Sequence, residues 1–129
     1  MVGGTKLVNE FRTMIQTELT KIQGLEPGKI ISDDVIQEGV YHFGYEVSTS
    51  VVMSSLDYSD DTMILNVTGY LTTKGGSLAD FDNYTDQICN ALSNLRIKAS
   101  TRDITTYDQT RKTVITGSVY LNTLTKMLR

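Results

Sequence analysis

The chain has one cysteine, one proline, one histidine and no tryptophan in its 129 residues. With Cys89 alone no internal disulfide can form, and its place on an apolar helical stripe reads as an inert, buried thiol rather than a nucleophile. With His42 alone no cluster of histidines can hold a metal within one chain. His42 falls on the polar face of an alternating segment and is expected at the solvated surface. No run approaches the ~18 apolar residues of a membrane span, and the N-terminus lacks a signal-peptide core. The expectation is therefore a protein made in a cytoplasm, where thiols stay reduced. Glycine never falls into a phosphate-cradling pattern: Gly24, Gly28 and Gly39 are spaced irregularly, and Gly3-Gly4 and Gly75-Gly76 act as breakers ahead of helices. No serine stands in a Gly-x-Ser-x-Gly context.

What the chain does have is a division of charge. Residues 1–95 hold five lysines and arginines against thirteen carboxylates, a net of −8. Residues 96–129 hold seven against Asp103 and Asp108, a net of +5. An acidic body with a basic end suits head-to-tail contact between copies, because complementary charge guides docking and heterologous contacts close into rings. The apolar share of 40% and charged share of 21% are ordinary for a globular domain. A chain of this length buries roughly two-thirds of its unfolded surface, so one domain over 1–129 can fold without disulfide or metal.

Periodicity places the elements. Leu7, Phe11, Met14, Ile15, Leu19 and Ile22 recur at helical spacing over 4–23, with Gly24 and Pro27-Gly28 as the stop. Residues 24–39 form a long connection in which Ile30, Ile31, Val35 and Ile36 are too apolar for a free linker. An arm or loop packed on the body or on a neighbouring subunit is expected there. From residue 40 the period becomes two: Tyr41, Phe43, Tyr45, Val47, Val51 and Met53 share one face. After the turn Asp57–Asp61, alternation resumes with Met63, Leu65, Val67 and Leu71, which predicts a long antiparallel hairpin with one buried face. Ser77 offers a cap to a helix over 77–97, with Leu78, Phe81, Tyr84, Ile88, Leu92 and Leu95 on its apolar stripe. Strands near 101–107 and 112–122 follow, and Gly117 marks a bulge or a close backbone approach. The order α-β-β-α-β-β predicts an α+β fold, an antiparallel sheet packed by two amphipathic helices.

Candidate chemistry is thin. Asp33-Asp34 and Asp57, Asp60 and Asp61 are oxygen-rich, but neither stretch has cation-loop spacing, and both read as charged turns. No spacing selects a pair of carboxylates for hydrolysis of a glycoside. The sequons at Asn66 and Asn83 fall in a strand and a helix and read as chance. Arg96, Lys98, Arg102, Arg111 and Lys112 could approach phosphates, with Tyr107 and Tyr120 stacking on bases. A net charge of −3 and a pI near 5.0 argue against a dedicated nucleic-acid binder. The expectation is no enzyme, no cofactor and no metal.

Taken together, the N-terminal amphipathic helix, the long connection into Tyr41-His42-Phe43-Gly44-Tyr45-Glu46-Val47, the hairpin, the helix from Ser77 and the closing strand Thr113-Val114-Ile115-Thr116-Gly117-Ser118-Val119-Tyr120-Leu121 resemble the phage tail terminator family. These neck proteins complete the tail and join it to the head. The resemblance spans the whole chain and rests on pattern rather than a short motif. It implies a structural virion protein, assembled in the host bacterial cytoplasm, that forms a homohexameric ring on the last ring of the tail tube. The ring would stop tube polymerisation and dock to the head connector, with DNA passing through the channel unbound and no membrane involved. The family has no catalytic residues to carry over. Under this resemblance Arg96, Lys98, Arg102, Arg111 and Lys112 are candidates for the lateral subunit contact. Asp57, Asp60, Asp61, Asp33 and Asp34 are candidates for the lumen or axial contacts. The alternatives are a tail tube protein, a connector adaptor, or a small α+β ligand-binding module.

Overall fold

A computed structural model describes residues 3–51, 63–104 and 109–120. The helix expected at the N-terminus spans Gly3–Thr20 (α1) and buries Phe11, Ile15 and Leu19 completely. It stops three residues short of expectation, in a turn that ends at Gly24 with φ +86°. The hairpin forms as expected, from Tyr41–Val51 and Met63–Lys74, with Tyr45 opposite Gly69. The second helix, α2, spans Leu78–Asn94, and the Ser77 side chain accepts from the Asp80 amide at 3.1 Å. The last two strands run Lys98–Ile104 and Thr110–Tyr120, so the first begins three residues earlier than its pattern indicated.

The expected all-antiparallel sheet is corrected by an additional strand. Leu25–Gly28, at the start of the 24–39 connection, is β1; it pairs in parallel with Tyr41–Gly44. The remaining strands are then β2 (Tyr41–Val51), β3 (Met63–Lys74), β4 (Lys98–Ile104) and β5 (Thr110–Tyr120). The sheet is mixed, five-stranded and ordered β1-β2-β3-β5-β4. Pro27-Gly28 reads in the sequence as the stop of the helix, yet an edge strand tolerates a residue with no N–H to donate. Leu25 supplies the driving force, because it is buried in the core beside Ile22.

Both helices cover one face of the sheet. Phe43, Val47, Leu65, Val67, Leu71, Ile115 and Val119 meet Phe11, Ile15, Phe81, Ile88 and Leu92 there. Gly69 makes room in this layer, since a Cβ on it would overlap the Phe43 ring. At Gly117 the ladders run unbroken on both sides, opposite Val67 and Ala99, so no bulge exists. Ile97 Cγ2 instead lies 2.5 Å from where a Cβ at Gly117 would stand, which makes it a close approach. Leu78 departs from the expected stripe, being 56% exposed in the first turn of α2.

The opposite face carries the polar residues and one covering segment. After β1 the chain crosses this face as a strap, residues 29–40, which includes a 3-10 turn at Asp33–Val35. A Cβ on Gly44 would lie 2.5 Å from Ile30 Cα and 2.7 Å from the Lys29 oxygen, so the strap lies directly on β2. It returns at Glu38, which bridges Lys74, and Gly39 N–H donates to the Lys74 carbonyl at 3.0 Å. Among the described residues no helix is long and apolar enough to cross a membrane.

Candidate self-assembly edges

The pairing pattern leaves two sheet edges without partners among the described residues. β1 covers β2 only from Tyr41 to Gly44, so Tyr45–Val51 is bare on that side. Among the described residues nothing pairs with the outer side of β4. The direction of the backbone groups follows from two bonds at the sheet's end. Because Gly39 N–H donates to Lys74 O, the even-numbered residues of β3 address β2, and Tyr45, Val47 and Thr49 therefore address solvent. Because Gly75 N–H donates to Gln109 O, the odd-numbered residues of β3 address β5, and Ala99, Thr101 and Asp103 are left pointing outward. Unpaired edges of this kind are templates for another strand.

Charge differs between the edges. Lys98 and Arg102 stand on β4, whereas Glu26 on β1 and Glu46 on β2 mark the opposite side. The five basic residues expected to act together are divided by the pleat. The β4–β5 register puts Lys98, Arg102 and Lys112 on the strap face, whereas Arg111 pairs with Thr73 on the helix face. Arg96 sits between α2 and β4 in the left-handed region, at φ 64°. Lys112 is engaged within the chain: its Nζ is 2.9 Å from Asp33 Oδ1 and 4.9 Å from the Tyr70 ring centroid. Asp33, expected at the lumen or at an axial contact, is thus joined to a residue expected at the lateral contact. Its neighbour Asp34 is exposed and accepts from Ser32 Oγ at 2.5 Å. Asp57, Asp60 and Asp61 lie outside the described residues.

Where β1 ends and the bare part of β2 begins there is a cleft of about 690 Å³, lined by Arg12, Gln16, Gly28, Lys29, Ile30, Tyr45 and Glu46. Tyr45 O–H donates to Gln16 Oε1 at 2.6 Å, and Gln16 Nε2 donates to the Pro27 carbonyl at 3.1 Å. This chain of bonds ties α1 to both strands. Burial pushes the Tyr45 phenol up from its ordinary value, and the Arg12 charge partly opposes it. His42 is not freely solvated as expected: it is half-buried, with Nε2 2.8 Å from the Lys29 oxygen. A carbonyl only accepts, so Nε2 carries the proton and holds the strap down.

No protein-family model matches the chain, and no curated protein matches it. The site therefore rests on geometry. Among the described residues no three of His, Cys, Asp or Glu gather as metal ligands. Cys89 is half-buried on α2, and burial with the nearby Asp86 raises its thiol pKa. Glu46 stands on the polar face of β2 and Arg12 on the exposed side of α1, and neither is singled out by the sequence as a contact residue. Their importance comes from where β1 stops, which only the pairing reveals.

Proposed function

We propose that the chain is a structural subunit that assembles into a homohexameric ring, capping a phage tail tube and docking to the head connector. The observation that carries this is the pair of sheet edges left bare among the described residues, one basic on β4 and one acidic on β2, at opposite ends of a single sheet. A heterologous contact between unlike edges closes into a ring when the rotation between copies divides a full turn. The helix α2, with its Ser77 cap, favours a terminator over a tail tube subunit, in which more strands and fewer helices are expected. Acidic groups toward the channel would keep passing DNA from adhering.

Native mass spectrometry of the purified protein at low and moderate salt tests the ring. The expected result is a hexamer that loosens as salt screens the edge charges. A monomer at every concentration and both salts would remove the preformed ring. Electron microscopy of tail tubes mixed with the protein tests its place, and density confined to tube ends is expected.

A further inference from the structure

We infer that the ring closes by continuous β-sheet, with β4 of one copy pairing antiparallel to Tyr45–Ser50 of the next in a single register that sets Arg102 opposite Glu46. This rests on the ring proposed above and specifies its contact.

Direction comes first. β2 runs antiparallel to β3, β3 to β5 and β5 to β4, so β4 and β2 point in opposite senses. A rotation about an axis along the strands preserves those senses. Copies related by such a rotation bring β4 to β2 antiparallel, which is the stronger pairing.

The backbone then restricts the register. The outward groups belong to Ala99, Thr101 and Asp103 on β4 and to Tyr45, Val47 and Thr49 on β2. These residues also share the helix face of the sheet, as the pairing of Val47 with Val67 and of Ala99 and Val67 with Gly117 shows. Matching outward groups therefore matches faces at the same time. With Ala99 against Thr49, Thr101 against Val47 and Asp103 against Tyr45, about six backbone hydrogen bonds form.

Sterics and charge choose among the registers that remain. Sliding β4 by two residues in one sense brings Arg102, Asp103 and Ile104 to Gly44, Phe43 and His42, whose outer sides β1 already occupies, whereas the register above leaves only Ile104, the last residue of β4, beyond the paired stretch. Sliding it in the other sense sets the apolar Ile104 against Glu46. The intermediate register places Arg102 opposite Glu46 on the strap face, in a pair of the closer, non-hydrogen-bonded type. It also brings Asp103 to Tyr45, at the mouth of the cleft that holds Arg12 and Lys29. Neither Glu46 nor Arg102 has an ionic partner among the described residues, and Arg12 bonds only the Asn9 amide, at 3.3 Å. One register thus pairs Arg102 with Glu46 and brings Asp103, which accepts from Thr113 Oγ1 at 2.7 Å, toward the Arg12 side of the cleft.

Charge exchange tests it in the full chain. Glu46→Arg and Arg102→Glu should each raise the concentration needed for assembly by about tenfold, since like charges then face each other. The doubly exchanged protein should return to within about threefold of the wild type, the behaviour expected of two residues in direct contact. As a second measurement, Glu46→Cys with Arg102→Cys, in a Cys89→Ala background, should oxidise to a covalent ladder that stops at the hexamer. An intact hexamer in both single exchanges, with no ladder, overturns this register and leaves the ring standing. A ladder without an upper limit supports the pairing and overturns the closed ring. Wild-type monomer at all concentrations overturns both.

Discussion

Lys112 Nζ lies 2.9 Å from Asp33 Oδ1, joining the interior strand β5 to the strap that crosses the open sheet face. The same ammonium stands over Tyr70, so one side chain makes an ion pair and a cation–π contact. The Asp33 side chain is 66% exposed, which leaves the pair well screened. Lys112→Ala should therefore cost at most about 1 kcal/mol in urea unfolding. The larger effect is expected locally: limited trypsin digestion should cut after Lys29 faster than in the wild type, because the strap opens more often. Equal cutting rates would show that the clasp does not hold the strap.

Gly44 gives the strap its seat. A Cβ there would meet backbone atoms, Ile30 Cα at 2.5 Å and Lys29 O at 2.7 Å, and backbone cannot swing aside as a side chain can. Gly44→Ala should destabilise by about 1–3 kcal/mol, the usual cost of overpacking. Gly28 lies nearby in the sheet, but its nearest neighbour to a Cβ is His42 Cε1 at 3.9 Å. Gly28→Ala should stay within about 0.5 kcal/mol of the wild type. Thermal melts of the two variants side by side read the difference.

Thr73 is fully buried on the helix face, and its hydroxyl has no hydrogen-bond partner. It pairs with Arg111 near the end of β3, where the core gives way to polar residues. A buried hydroxyl left unpaired costs about 1–3 kcal/mol of desolvation. Thr73→Val keeps the shape and removes the oxygen, so it should stabilise the fold by about 1 kcal/mol in chemical denaturation. A destabilised variant would mean that the hydroxyl finds a partner in solution.

How much of this was legible follows from the range of each interaction. The α1 stripe through Phe11, Ile15 and Leu19 and the alternation from Tyr41 to Val47 are local signals, and both elements form where expected. β1 was missed because Pro27-Gly28 reads as punctuation, and a four-residue strand has too few positions to show a period. The start of β4 was missed for a related reason: Lys98-Ala99-Ser100 carries no apolar alternation, since this edge strand buries little. The basic cluster read as one patch because sequence neighbours such as Arg111 and Lys112 take opposite faces of a strand. The bare stretch of β2 is set by where its parallel neighbour ends, a non-local fact with no sequence signature.

Cys89 offers a pH test. Burial first, and the Asp86 charge second, hold its thiol above the ordinary value, so the protonated form is favoured in the fold. A group whose pKa rises on folding lends stability below its unfolded pKa, and that stability is lost as pH climbs through the folded value. Stability should accordingly fall on the alkaline side, and Cys89→Ala should flatten part of that slope. At pH 8 a disulfide reagent should label the native thiol about tenfold more slowly than a free thiol, and at the free rate in denaturant. Native labelling at the free rate would mean the thiol is not shielded.

Arg96 occupies a position where helices usually place glycine. Ile97 N–H donates to Leu92 O at 3.0 Å and Arg96 N–H to Ser93 O at 2.9 Å, the paired bonds of a Schellman ending. Ile97 is 1% exposed and shares the core with Leu92, supplying the apolar contact that accompanies this motif. The geometry forces Arg96 to φ 64°, which strains any residue with a Cβ by about 1–2 kcal/mol. Glycine removes that strain but gives back part of the gain in chain entropy, so Arg96→Gly should stabilise the monomer by about 0.5–1 kcal/mol. If Arg96 contributes to the basic edge, the same variant should assemble less readily despite folding more firmly. Melting temperature and hexamer fraction, measured on one preparation, are expected to move in opposite directions. A parallel rise in both would confine Arg96 to ending the helix.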